Sequence, residues 1–421
     1  MSEFVGTNPA GMAAAPRVAS IESRESWVAA GLTLALLSFA YGSPLLIVVG
    51  LKPITEDLGT KRELVALAGS LTWLGTGLGG VVMGQVAERL GVRFTVMFGA
   101  AMSALGLAVS ASGGLWTVLI GHAVLVGFLG NGALYPPLIV YVSRWFDRRR
   151  GTALALISSG QYVAGMLWPS LFQYGFGRFG WRDTMLGFAA LVILVVPALA
   201  LFLRRPPAAP AVYAAAGGSH RRSVLGMRPN LVLGLICAAG FCCCIPMSIP
   251  QGHLVAFCSD IGISAASGAL MLSVLQGAAF MTRVGWGTLA DRIGGLKTVF
   301  VCSSLQALTI AAFMATRNES WLFTIAAIYG AGFSGIIPAY VVAIRELFPP
   351  QEASWRVPSI LFVSMGGMAF GSWFAGALYD HFGYYGPAFA IGVLFNLANL
   401  TLVGFLVLSQ RRVGGFRRAF A

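Results

Sequence analysis

The stretch Gly84-Gln-Val-Ala-Glu88-Arg89-Leu-Gly91 returns 203 residues later as Gly287-Thr-Leu-Ala-Asp291-Arg292-Ile-Gly294. Both copies read Gly-x-x-x-acid-Arg-x-Gly. Phe179-Gly180-Trp181 and Phe382-Gly383-Tyr384 repeat at the same offset of 203. Two independent matches at one offset predict a duplicated unit. Each copy of the charged motif fills a short gap between long apolar stretches, so the duplicated unit consists of apolar helices joined by polar turns.

Outward from the motif, the apolar stretches decide the class. A helix crossing a hydrocarbon core of about 30 Å needs about 20 apolar residues. Twelve such stretches are predicted, at 27–50, 64–87, 94–112, 115–142, 151–174 and 184–203, then 230–256, 264–289, 298–315, 320–344, 357–379 and 387–408. Only 10% of the chain is charged and 57% is hydrophobic, against roughly 25% charged in a soluble domain. The 54 glycines would weaken soluble helices. In membrane helices they allow close backbone approach. The expected fold is an all-α membrane protein of twelve transmembrane helices in two pseudo-symmetric six-helix bundles. The expected organisation is a cytoplasmic tail at 1–25, a first bundle at 26–203, a linker at 204–229 containing Pro206, Pro207 and Pro210, a second bundle at 230–408 and a basic tail at 409–421. Residues 1–25 carry Glu3, Glu22 and Glu25 without an apolar run, and read as a tail rather than a cleaved signal.

The formal net charge of +13 invites a nucleic-acid reading, which the placement of the charge rejects. Lys52, Lys61, Arg62, Arg178, Arg182 and Arg317 fall on one side of the predicted membrane and Arg283 falls within a span, leaving 21 of the 28 basic residues on the other side. That asymmetry predicts both termini in the cytoplasm. The six cysteines have no partners at zinc-finger spacing, so no metal and no cofactor are expected. The chain has four histidines, no H-E-x-x-H and no acid pair within a span, which argues against an enzyme. Duplicated halves argue for alternating access rather than a channel. The partners expected are a small solute, the lipid bilayer and no nucleic acid.

On the paired Gly-x-x-x-acid-Arg-x-Gly loops and the duplicated helices, nearly the whole chain resembles the major facilitator superfamily. The resemblance implies a secondary transporter that works as a monomer, with Glu88, Arg89, Asp291 and Arg292 as conformational residues bonding helix ends. Glu88 stands where that family usually has Asp. A narrower resemblance rests on His253-Leu-Val-Ala-Phe-Cys-Ser-Asp260-Ile-Gly262-Ile-Ser264, on Arg283, on Tyr41-Gly42 and on Arg144-Trp-Phe-Asp-Arg-Arg-Arg150-Gly-Thr-Ala. These are similar to the prokaryotic monocarboxylate transporter branch, near the oxalate–formate antiporter type. This implies a small organic anion as substrate, a proton as co-substrate, and a gating or coupling role for His253. The short tails suggest a bacterial inner membrane.

The residues support an anion independently. Arg283 is the basic residue inside a predicted span, about six residues or 9 Å from that span's centre. Arg at a span's centre costs about 2.5–3.5 kcal/mol, so it is expected to face a water-filled cavity, where its planar fork suits a carboxylate. Snorkelling to the interface is the competing reading. In animal members of the resembled family an Asp precedes this Arg by one turn. Here Ala279 stands there, which leaves any proton site unassigned. No Asp or Glu lies well inside a span, so no built-in partner neutralises Arg283, and a single arginine favours a monoanion. Further candidate substrate contacts are Gln276 on the same helix face, Tyr41, Asn131, Tyr135, Gln161, Tyr162 and Tyr340. A drug or sugar facilitator and an anion exchanger remain the alternatives. Gly75-x-x-x-Gly79, Gly80-x-x-x-Gly84 and Gly367-x-x-x-Gly371 are expected where helices two and eleven face each other.

Overall fold

The computed structural model describes residues 20–207 and 223–419. Most of the predicted tail at 1–25, the middle of the linker at 204–229 and the last two residues of the basic tail lie outside the described residues. Among the described residues the regular structure is helical apart from one bridge, Val224 to Met227. Eleven helical stretches are long and apolar enough to cross a membrane. We number them α1 Arg24–Asp57, α2 Arg62–Leu90, α3 Val92–Ser112, α4 Leu115–Ser143, α5 Gly151–Ala200, α6 Pro229–Asp260, α7 Ala265–Ile293, α8 Gly295–Ala315, α9 Glu319–Leu347, α10 Trp355–Phe382 and α11 Gly386–Arg412. The chain is an integral, multi-pass membrane protein.

The count of eleven against the predicted twelve comes from α5. It runs 50 residues, about 75 Å at 1.5 Å per residue, more than twice a hydrocarbon core. Gly180, at φ 80° and ψ 170°, breaks it. Only glycine occupies that region without strain, and the predicted gap at 175–183 shrinks to this single residue. Other helices also outrun their apolar stretches, because polar turns prolong them beyond the lipid. The last helix continues to Ala419, into the basic stretch from 409.

The offset of 203 reappears in the backbone. Gly59 and Gly262, Gly91 and Gly294, and Gly180 and Gly383 are three pairs at this offset, and all six have positive φ. Gly91 and Gly294 share nearly one conformation, φ 89° with ψ 153° and φ 87° with ψ 156°. The packing repeats too. A Cβ on Gly127 would sit 2.9 Å from the Thr72 carbonyl oxygen, and one on Gly330 would sit 1.9 Å from that of Leu275. Both members of the first pair, advanced by 203, give the second.

Glycine spacing in α2 and α10 has a different partner from the one expected. Cβ atoms on Gly75 and Gly79 would strike backbone of Ala123 and Phe128 in α4, while those on Gly367 and Gly371 would strike backbone of Phe241 and Ile245 in α6. The small residues therefore bring helices together on the same side of the linker. α2 and α10 do pack across it, but through Gly77 against Met365 and Phe362, and through Gly376 against Glu63. The middle of α4, Gly121–Asn131, is wound as π-helix. There Thr72 Oγ1 donates to the carbonyl of His122 at 3.1 Å. Local winding of this kind recurs beside functional sites.

Candidate functional site

Contacts between the helices before the linker and those after it run along three seams, α2 with α10, α5 with α7 and α1 with α6. Between them lies a cavity of about 60 Å³, lined by Tyr41 and Pro44 of α1, Trp73 of α2, Gln161 of α5, Gln251 of α6 and Gln276 of α7, among others. No charged residue lines it. A volume this small is well under the roughly 300 Å³ at which ligand pockets begin, so the conformation is closed around the site.

The structure brings together three of the predicted contact residues, Tyr41, Gln161 and Gln276, on this cavity. Tyr135 stacks edge-on against Tyr41 with ring centroids 5.6 Å apart. Arg283 lies seven residues beyond Gln276 on α7, about 10 Å along the axis. α7 extends to Ile293, which puts Arg283 about four residues or 6 Å from the centre of the whole helix. Its Nη1 donates to the Tyr162 hydroxyl and its Nη2 to Ser158 Oγ, each at 2.9 Å. The guanidinium also sits 5.1 Å from the Tyr162 ring centroid. Nε is buried without a partner. Among the described residues no carboxylate pairs with Arg283.

Other predicted residues part from this group. Asn131 ends the π segment, buried, with Oδ1 unpartnered; it lies one turn from Tyr135 on the same face. Tyr340 is buried away from the cavity, where its hydroxyl donates to Asn399 Oδ1 at 2.7 Å. A tyrosine in an apolar helix needs such a partner, and the sequence does not distinguish a helix neighbour from a solute in that role. Glu88 pairs with Arg144 at 3.4 Å on an exposed surface. The side chains of Arg89, Asp291 and Arg292 make no hydrogen bond or ion pair among the described residues; these loops meet helix ends instead through Arg93, whose Nε donates to the Leu203 carbonyl, and through the Gly295 N–H, which donates to Glu346 at 3.0 Å. Four lining residues, Trp73, Gln251, Ser248 and Ser372, were missed by sequence reasoning, because each also reads as ordinary helix packing.

A second polar cluster contains the predicted His253, while the sequence reading missed the roles of Arg62, Asp260 and Tyr385 beside it. The cluster stands at the end of the molecule that carries the α1–α2, α6–α7 and α10–α11 turns. Arg62 of α2 is buried and grips Asp260 of α6 with both Nη atoms, Nη2 to Oδ1 at 2.9 Å. Its guanidinium lies 3.7 Å from the Tyr379 ring centroid, and Nη1 also donates to the Tyr385 hydroxyl at 3.2 Å. Lys52 Nζ stands 3.4 Å from Asp260. Asp380 accepts the backbone N–H groups of Arg62 and Glu63 at 3.1 and 2.8 Å, capping the start of α2, where a negative charge suits the helix dipole. Burial of His253 completes the cluster. Its Nδ1 meets the Tyr385 hydroxyl at 3.0 Å and its Nε2 the Ser372 carbonyl at 2.8 Å.

The repeat explains why this cluster crosses the linker. Asp57 and Asp260 are equivalent at the offset of 203, as are Arg182 and Tyr385. Asp57 is satisfied by Arg182, from its own side of the linker. Asp260 has a tyrosine at that place and takes Arg62 from the other side. At the opposite end, past the bond from Arg283 to Ser158, no hydrogen bond or ion pair joins the two sides among the described residues. Among the described residues the polar contacts between the two sides gather at the end that carries Arg62 and Asp260.

Comparison with known proteins gives the family. The Major Facilitator Superfamily matches over residues 28–354 and again over 236–419. The chain is similar to the MFS-type transporter pynF of Aspergillus niger, 26% identical over 369 residues covering 85% of this chain and 82% of that protein. It is also similar to monocarboxylate transporter 13 of Rattus norvegicus, 26% identical with 76% and 74% covered. Among solved structures, a bacterial homolog of the human lysosomal transporter Spinster, in an inward-facing and occupied conformation, superposes with a TM-score of 0.70 at 16% identity, covering 92% of this chain and 97% of that one.

Proposed function

This chain belongs to the Major Facilitator Superfamily, and from that premise we propose that it carries a small organic anion, a monocarboxylate, by alternating access with a proton as co-substrate. It is a secondary-active transporter of a small solute and not an enzyme. The finer reading has twelve spans in two six-helix bundles, 26–203 and 230–408, with both termini cytoplasmic and one chain sufficient for a complete site. The break at Gly180 divides α5 into two spans, and the glycine pairs at the offset of 203 support two related halves. The basic-residue asymmetry puts the latched end outside, so this conformation is closed to the exterior.

The observation that carries the anion reading is Arg283. It is held between the two sides of the linker, within an apolar helix, by two neutral hydroxyls and, among the described residues, no carboxylate. Removing a guanidinium from water without a counter-charge is costly. A carboxylate of the solute offers the missing charge, and the fork can leave Ser158 and Tyr162 to bind it bidentately. Gln276, Gln161 and Tyr41 would then face the remainder of the solute. The similarity to monocarboxylate transporter 13 supports the same class.

A second reading has its own observation. The cavity lining is uncharged and sets three glutamines among mostly apolar side chains, which suits a neutral solute, as in a sugar or drug facilitator. One experiment separates the two. Uptake of labelled monocarboxylates, a dicarboxylate and a sugar into proteoliposomes is measured with and without an inward proton gradient, for wild type, Arg283→Ala and Arg283→Lys. Gradient-driven monocarboxylate uptake is expected, falling at least about tenfold in Arg283→Ala and partly retained in Arg283→Lys, since lysine keeps the charge and loses the fork. Unchanged carboxylate uptake in Arg283→Ala, or uptake of the sugar alone, rejects the anion reading.

A further inference from the structure

We infer that His253 is a proton-binding site that controls the external latch, its protonation releasing Arg62 and opening the outer end. The inference rests on the two-halved alternating access proposed above, but not on the identity of the solute. The geometry fixes the tautomer. His253 Nε2 is 2.8 Å from the Ser372 carbonyl oxygen, which can only accept, so Nε2 carries the hydrogen. Nδ1 of the neutral ring is therefore a bare acceptor, and the Tyr385 hydroxyl at 3.0 Å donates to it. The Tyr385 oxygen is left to accept from Arg62 Nη1 at 3.2 Å. One unbroken chain of donors thus runs from Arg62 of the first half, through Tyr385 and His253, to Ser372 of the second.

A proton arriving at Nδ1 reverses one link of that chain. Nδ1 becomes a donor, and the Tyr385 hydrogen must turn away from it. The imidazolium and the Arg62 guanidinium then face the same phenol oxygen from two sides, in a site where His253 is buried. The surrounding charges do not relieve this. Asp260, on the same helix as His253, is engaged by Arg62 and Lys52. Asp380 of α10 is engaged by the start of α2. Tyr379 of α10 packs its ring on Arg62 and on Tyr385. No free carboxylate faces the imidazole among the described residues, so repulsion falls on Arg62, the partner that can leave with its own half. Loss of the proton restores the acceptor and re-closes the latch.

Hydrogen–deuterium exchange of the full-length protein in lipid nanodiscs tests this without any solute. Exchange at the start of α2 and at the α6–α7 and α10–α11 turns is followed at pH 7.5, 6.5 and 5.5, corrected for the intrinsic rate. In wild type, exchange there is expected to rise at least about fivefold on acidification, as a coupling of ordinary size would give. His253→Gln, and separately Tyr385→Phe, which keeps the ring and removes the relay hydroxyl, should abolish the dependence. Asp57→Asn, whose carboxylate pairs with Arg182 on its own side of the linker, should keep it. A wild-type profile that does not change with pH overturns the inference, as does a pH response that survives in His253→Gln. If uptake is insensitive to Arg283→Ala while the pH response holds, only the anion reading fails.

Discussion

At the scale of single residues, the clearest consequences belong to glycines that meet backbone. A Cβ at Gly330 would lie 1.9 Å from the Leu275 carbonyl oxygen, an atom that cannot swing aside, whereas nothing lies within 4 Å of one at Gly31. Overpacking of this kind costs about 1–3 kcal/mol. Gly330→Ala should therefore lower the thermal midpoint of the purified protein, while Gly31→Ala leaves it unchanged or slightly raised, since alanine is the better helix former. Equal midpoints for the two variants would show that α7 and α9 are not packed as described. Arg283 was legible at this scale because a basic residue inside an apolar run has few reasons to be there. Tyr340 was misassigned because its hydroxyl is satisfied equally by a solute or by Asn399, and a sequence does not say which is nearer.

At the scale of elements, the helices follow their apolar runs and their interruptions follow backbone chemistry. Ser264 caps α7 through the N–H of Ser267, Asn318 caps α9 through that of Trp321, and Gly180 kinks α5 by a φ of 80°. Alanine in that conformation costs about 1–3 kcal/mol. Gly180→Ala is expected to lower the melting midpoint or split the transition. Gly177→Ala, three residues earlier in regular helix with open space at its Cβ, should not. Calorimetry that fails to distinguish them would mean that the break is not imposed by Gly180. The π winding of Gly121–Asn131 had no signal in the sequence. It depends on which carbonyls α2 and α3 can satisfy once packed.

At the scale of the whole molecule, the buried Arg62–Asp260 pair joins the two sides of the linker at one end. Removing one partner of a buried ion pair costs about 3–5 kcal/mol; at 1.4 kcal/mol per factor of ten, the closed arrangement loses more than about a hundredfold of its preference. Arg62→Gln should therefore lengthen a spin-label distance measured across the outer end. Asp57→Asn, at the equivalent place but bonded to Arg182 within its own half, should leave that distance unchanged. A distance unmoved by Arg62→Gln would mean that the α2–α10 seam holds the end shut by packing alone.

Local chemistry alone determined the all-α membrane class, the long apolar helices and the repeat at an offset of 203, because apolar length and a repeat at a fixed offset are properties of the chain itself. Tertiary structure alone decided which glycines pack within a half, that Gln251 and Trp73 share a cavity with Gln276, and that Asp260 reaches Arg62. Arg62 and Asp260 stand 198 positions apart, and nothing in the local sequence of Asp57 or Asp260 says which of two chemically similar acids will find its cation at home. Only the replacement of an arginine by Tyr385 at the repeat-related position, placed in space beside Arg62, makes that choice.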